Sequence, residues 1–183
     1  MLRPIYKLIL KNILGWKIVG QFPPELKKYV VAVAPHTSNW DFPIGVMARS
    51  VLKMQQGKFL GKSQLFKPPF GWIFRALGGY PVDRSKKQDI VSQVVDYFNN
   101  NEHFILAVAP EGTRKKVSSL KTGFYYIAKG AGVPIIPVGF DFEKKEIIIG
   151  QPHYPTESID HDLEVLTAFY RKIKGKNPEL GII

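Results

Sequence analysis

Two short polar stretches hold the side chains best suited to chemistry. The first, His36-Thr37-Ser38-Asn39-Trp40-Asp41, sets a histidine five positions before an aspartate. Such a pair does not share a helix face well, but across a strand-to-helix turn the chain folds back and the carboxylate meets the imidazole. A carboxylate held on one ring nitrogen fixes the tautomer and steadies the imidazolium, leaving the other nitrogen to take a proton from a hydroxyl. The second stretch, Pro110-Glu111-Gly112-Thr113-Arg114, joins a flexible glycine and a hydroxyl to a guanidinium whose fork matches phosphate oxygens. Arg84 stands in another glycine-rich turn, residues 78–85, so Arg84 and Arg114 are candidates to grip one anion together. A plainer reading stands beside each. Asp41 or Asn39 caps the following helix while His36 packs near Trp40, and the arginines are solvated surface charge.

The elements around these turns must place them at one end of a sheet. Residues 29–34 (YVVAVA) form an apolar run of strand length ended by Pro35, and residues 44–54 carry helical apolar spacing behind Pro43. Residues 86–100 put Ile90, Val91, Val94, Val95 and Phe98 on one helical stripe, and the strand 103–109 follows. A helix at 120–129, strands at 134–140 and 145–149, and an amphipathic helix at 162–174 complete the chain. This alternation predicts an α/β fold, a mostly parallel mixed sheet covered by helices, in which loops leaving the carboxyl ends of strands collect functional groups. Before it, residues 1–28 interleave Leu, Ile, Tyr and Trp with Arg3, Lys7, Lys11 and Lys17, a short basic amphipathic segment closed by Pro23-Pro24. The expected organisation is that segment followed by one α/β domain over 29–183.

Composition narrows the chemistry. With 183 residues, 45% of them hydrophobic, the chain suits one globular domain with one sizeable core. The absence of cysteine removes disulfides, zinc ribbons and thiol nucleophiles, and four scattered histidines argue against a His-only metal cluster. A net charge of +11 favours an anionic partner: acidic membrane, phosphorylated substrate or nucleic acid. Nucleic acid has support from charge alone and is not expected as a partner. No run reaches the roughly 18 apolar residues needed to span a bilayer, and the N-terminus has charges too closely spaced for a secretory apolar core. Gly57-Lys-Phe-Leu-Gly61-Lys62-Ser63 has three residues between its glycines where a phosphate-binding P-loop needs four. Ser38 lacks a G-x-S-x-G elbow, so capping is its expected role. Phe124, Tyr125 and Tyr126 between Lys121 and Lys129 sit near helical spacing and suit a core better than base stacking.

Four ordered blocks resemble the motifs of the glycerolipid acyltransferases of the lysophosphatidic acid type. They are His36 to Asp41, Gly79-Tyr80-Pro81-Val82-Asp83-Arg84, Pro110 to Arg114, and Val133-Pro134-Ile135-Ile136-Pro137-Val138, spread over residues 30–140. The resemblance implies that His36 activates an acceptor hydroxyl with Asp41 as its orienting partner. It implies that Arg84, Glu111, Gly112, Thr113 and Arg114 form the acceptor's phosphate site. The fourth block resembles a motif tied to the acyl donor, but its apolar residues equally make a core strand, and no catalytic role is carried onto it. Ala109 departs from the family by standing where an aromatic residue is frequent.

The implied reaction moves a fatty acyl group from an acyl thioester, acyl-CoA or acyl carrier protein, to the free hydroxyl of a lysophospholipid, with no cofactor and no metal. Residues 1–28 and the positive charge would dock the protein peripherally on an anionic membrane surface, at the inner face of the cell membrane from the cytoplasm. Two rivals stay open at this point: an acceptor with a different headgroup, such as an amino-acid-headed lyso-lipid, and a non-catalytic protein that binds anionic lipid.

Overall fold

The computed structural model describes residues 3–54, 56–82 and 87–182. A seven-stranded sheet, in the order β1-β7-β6-β2-β5-β3-β4, runs through the molecule. Its strands are β1 (Lys17–Val19), β2 (Lys28–Val33), β3 (Lys58–Lys62), β4 (Gly79–Val82), β5 (Phe104–Val108), β6 (Ile135–Asp141) and β7 (Glu146–Ile149). β6 and β7 pair antiparallel, and every other neighbouring pair is parallel.

The centre of the sheet is its most apolar part. All seven residues of β6 are buried, and so are Tyr29, Val30, Val31 and Ala32 of β2. A parallel strand covered on both faces has no solvent side, so it reads as a continuous apolar run. Alternate side chains then divide between two cores. Val30, Ala32, Leu106 and Ile135 pack with Val94 and Phe98 of α4 (Lys87–Asn100), Phe124 and Ile127 of α5 (Gly123–Ala131), and Leu166 and Tyr170 of α6 (Ile159–Tyr170). Tyr29, Val31, Ile105 and Ile136 pack with Ile44, Ala48 and Val51 of α2 (Asp41–Val51) and with Leu10 and Trp16 of the N-terminal segment. The result is a three-layer α/β/α sandwich.

The N-terminal segment begins as α1 (Arg3–Lys7), continues as a π-helical stretch (Leu8–Ile13) and ends in β1 at the sheet edge. Leu10 is fully buried, while Ile5, Leu8 and Ile13 face outward. Amphipathic spacing therefore resolves into a helical face seated on α2 and a face open to the surroundings. Arg3 fastens the packed face by donating from Nε to the Val51 carbonyl, 3.3 Å away.

Two parts of the expected layout shift. Helix α2 starts at Asp41, ahead of Pro43, because proline is tolerated in a first turn where its missing N–H has no helical partner anyway. Strands β3 and β4 and the short helix α3 (Gly71–Ala76) between them have no counterpart in the sequence reading. KFLGK and GYPV are short, contain glycine or proline, and gain strand structure from neighbours: Phe59 pairs with Ala107, and Leu60 with Tyr80. No helix among the described residues is long and apolar enough to cross a membrane.

Candidate active site

The parallel strands β2 and β5 release their loops at the same end of the sheet, which brings the two polar turns together. His36 follows β2 directly, and Asp41 opens α2, so the chain reverses within five residues. His36 Nδ1 lies 2.9 Å from Asp41 Oδ2. The same oxygen accepts the Ser38 backbone N–H at 3.0 Å, and Ser38 Oγ accepts the N–H of Trp40 at 3.2 Å. These bonds hold the turn so that the carboxylate faces back to the ring. Because Oδ2 is an acceptor, Nδ1 carries a proton, and it is Nε2 that holds the lone pair of the neutral ring. The Asp41 side chain is only 2% exposed, and its other oxygen, Oδ1, is buried with no hydrogen-bond partner among the described residues.

The loop after β5 closes on this pair from the other side. Glu111 is buried and its Oε2 accepts the His36 backbone N–H at 2.5 Å. Arg114 Nε donates to the Ser38 carbonyl at 3.2 Å, tying the guanidinium to the histidine loop with one of its five donors. Gly112 sits at φ +64°, and a Cβ there would lie 2.8 Å from Lys121 Nζ and 2.9 Å from its Cδ. The left-handed backbone favours glycine, whereas the Lys121 side chain is flexible enough to move aside. Thr113 Oγ1 accepts the Lys115 N–H at 3.3 Å. His36, Asp41, Glu111, Gly112, Thr113 and Arg114 are therefore gathered at one place. Arg84 lies outside the described residues.

Positions without a signal in sequence also brace the loop. Thr37 Oγ1 accepts the Asn177 N–H at 3.1 Å, and Asn177 Nδ2 donates to the Thr37 carbonyl at 2.8 Å. Gly175 lies so close that an added Cβ would come 2.6 Å from Thr37 Oγ1. Tyr170, fully buried, donates to the Ala32 carbonyl at 2.6 Å, and its pKa is pushed far up by burial and by the nearby Glu111. No pattern in the sequence connects residues 170–177 to the histidine loop.

Burial pushes the Glu111 carboxyl up to about 7, against the lowering pull of the His36 N–H and of the His36 ring; Asp41 pushes the same way as burial. The native state thus binds a proton that the unfolded chain, titrating near 4.5, has lost over the interval between those values. Stability should fall as pH rises from about 4.5 to about 7 and level off above. Urea midpoints measured at pH 5 and pH 8 check this: Glu111→Gln, which keeps an acceptor for the His36 N–H, should flatten the slope, and an unchanged slope would assign it to other groups.

A second histidine–aspartate pair lies away from this turn. His153 Nε2 lies 2.8 Å from Asp162 Oδ1 at the opposite end of β6, where His153 and Ile135 exchange backbone hydrogen bonds. Burial alone would raise the Asp162 pKa, but bonds from the Thr156 N–H, His153, the Thr156 hydroxyl and the Tyr125 hydroxyl overcome it and hold the group below its ordinary value. That carboxylate is saturated and clamps the start of α6. Asp41 serves a histidine that borders open space: a cleft of about 1860 Å³ is lined by His36 and Arg114 together with Phe42, Leu52, Phe59, Ile105 and Phe140. Its walls are mainly apolar, with His36, Asp41, Thr113 and Arg114 among the polar residues that line it.

Fold and site together define a three-layer α/β/α sandwich with a histidine–carboxylate pair and a basic turn at the carboxyl end of its parallel strands. Residues 17–141 match the model of the Acyltransferase family, and the chain belongs to that family. It is 30% identical over 152 residues to the 1-acyl-sn-glycerol-3-phosphate acyltransferase of Escherichia coli, covering 79% of this chain and 60% of that protein. It is 32% identical over 149 residues to the enzyme of the same name from Saccharomyces cerevisiae, covering 71% of this chain and 45% of the yeast protein. The chain thus spans about half the length of these relatives. The crystal structure of the 1-acyl-sn-glycerophosphate acyltransferase of Thermotoga maritima superposes with a TM-score of 0.59 at 22% identity, covering 95% of this chain and 81% of that one, and shares its fold.

Proposed function

We propose that this protein transfers a fatty acyl group from an acyl thioester to the free hydroxyl of 1-acylglycerol 3-phosphate, with His36 as general base. The observation that carries the reading is the His36–Asp41 pair, held from both sides by backbone bonds and opening on an apolar cleft. His36 Nε2 takes the hydroxyl proton as the oxygen attacks the thioester carbonyl. The tetrahedral intermediate collapses with loss of the thiolate, and the imidazolium returns the proton to sulfur. Asp41 stabilises the imidazolium in between, and its second oxygen, buried without a hydrogen-bond partner among the described residues, is a cost that a fold keeps where it needs the charge. No covalent acyl-enzyme is required, and the chain has no cysteine to form a thioester one.

The acyl chain belongs in the apolar reach of the cleft, where each buried methylene is worth about 0.8 kcal/mol. Arg114 takes the acceptor phosphate, a role the family resemblance extends to Arg84, and the Gly112 turn lets Lys121 approach the same corner. The names of the relatives favour this acceptor over an amino-acid-headed one. Both acyl-CoA and acyl carrier protein satisfy the chemistry. The protein works on an anionic membrane at the cytoplasmic face, held there by residues 1–28.

Arg114→Ala should raise KM for 1-acylglycerol 3-phosphate about tenfold or more while changing KM for the thioester little. Initial rates against each substrate in turn measure the split. An unchanged acceptor KM removes Arg114 from the phosphate site, and equal rates with 1-acylglycerol would show that no phosphate is recognised.

A further inference from the structure

The positive charge is concentrated in one part of the chain. Residues 1–82 hold 12 Lys and Arg against two acidic residues, Glu25 and Asp41, which accounts for ten of the eleven net charges. From Phe42 to Val82 there are six basic residues and no acidic one. This half supplies α1, α2 and α3, whereas α4, α5 and α6 of the opposite layer come from the nearly neutral remainder.

Within that half, the connection from β3 to β4 exposes large apolar side chains. Phe70 is 64% exposed and Trp72 70%, with Leu65 and Ile73 beside them. They are not the loose face of an unfolded turn. Phe74 packs on Phe42 and Phe66 from below, with ring centroids 5.8 and 6.1 Å apart, and Arg75 lies 5.4 Å over the Phe66 ring. The inner aromatics fix the element, and the outer ones are presented by it. β3 runs parallel to β5, so the chain leaves β3 at the same end of the sheet as the His36 loop, and Leu65 borders the cleft that His36 borders. Trp40, 60% exposed in the histidine turn, and Ile13, 67% exposed at the end of the π-helical stretch, face outward from the same layer.

Protruding tryptophan and phenylalanine flanked by Lys67 and Arg75 match the layered chemistry of an anionic bilayer surface, apolar just beneath and negative above. We propose that the segment 65–75 is a second membrane anchor, separate from residues 1–28. Phe70 and Trp72 enter the boundary between headgroups and acyl chains, and Lys67 and Arg75 meet anionic headgroups. Two anchors on one layer set the molecule's tilt as well as its affinity, and they hold the cleft mouth against the surface from which both lipid substrates come. The inference rests on the peripheral-membrane part of the function proposed above and adds the residues that carry it. An acidic acyl carrier protein is the competing occupant of a basic surface, but it would gain little from two protruding rings.

The test compares wild type with the double variant Phe70→Ser, Trp72→Ser by sedimentation with vesicles of phosphatidylglycerol and phosphatidylcholine, and with vesicles of phosphatidylcholine alone. Wild type should bind the anionic vesicles preferentially, and the double variant should lose about tenfold or more of that partitioning. Thiol release from a short-chain acyl-CoA and a short-chain lyso-acceptor, both monomeric in water, should match wild type. Membrane anchoring and chemistry thus fail separately. Trp72→Phe, a mild change, covers the case in which the double variant does not fold: bromine-labelled lipids should quench wild-type tryptophan fluorescence more strongly than that of Trp72→Phe. Equal vesicle binding by wild type and double variant, equal quenching, or loss of acyl carrier protein binding with vesicle binding retained would each overturn the proposal.

Discussion

Replacing His36 by alanine should lower kcat/KM by about a thousandfold or more while leaving the fold intact. The first half follows from the range that positioned proton transfer contributes, roughly 10²–10⁴. The second follows from where the side chain sits: the ring is 22% exposed on the rim of the cleft, and the loop's backbone bonds to Glu111 and from Asn177 do not use it. Circular dichroism and a urea-unfolding free energy within about 1 kcal/mol of wild type check the fold, and steady-state thiol release checks the rate. A folded, active His36→Ala protein would end the mechanism.

Asp41→Asn should come close behind, at about a hundredfold or more in kcat with little change in either KM. The amide occupies the carboxylate's volume and can still accept from Nδ1 through its oxygen, but it carries no charge to stabilise the imidazolium. The alternative amide orientation presents an NH2 to Nδ1 and selects the opposite tautomer, which places the proton on Nε2 where the base must be empty. The substitution also removes the carboxylate paired with the His36 ring, so the pH–rate profile should change shape as well as height. A fall in thermal stability with kcat retained would instead make Asp41 a helix-opening residue that merely holds the Ser38 N–H.

The reading from sequence and the structure agree most closely where an element is dense in its own signal. The run YVVAVA is a central strand because both of its faces are covered, and Val94 and Phe98 of the stripe in residues 86–100 are buried on the sheet as its 3.6-residue period requires. The His36 and Glu111 turns were visible as polar insertions after such strands. What sequence left unread is non-local. β3 and β4 are weak strands by composition, stabilised by pairing with each other and with β5. The bracing of Thr37 by Asn177 spans 140 positions, and the tie from Glu111 to the His36 backbone spans 75. In sequence Glu111 reads only as part of a phosphate-binding turn; its buried carboxylate accepts from the histidine's backbone, and nothing local in the sequence marks that direction. The exposure of Phe70 and Trp72 is equally invisible, since an aromatic-rich stretch of this kind reads first as core.

The most direct test of the whole account is thiol release from palmitoyl-CoA by the purified wild-type protein, with and without 1-acylglycerol 3-phosphate, and with the lipid product identified by mass. Release that requires the acceptor, accompanied by the diacylated phosphate, is the predicted result. Release at the same rate without acceptor would make the protein a thioesterase, and no release with either acyl-CoA or acylated carrier protein would contradict the assignment of the His36–Asp41 pair to acyl transfer.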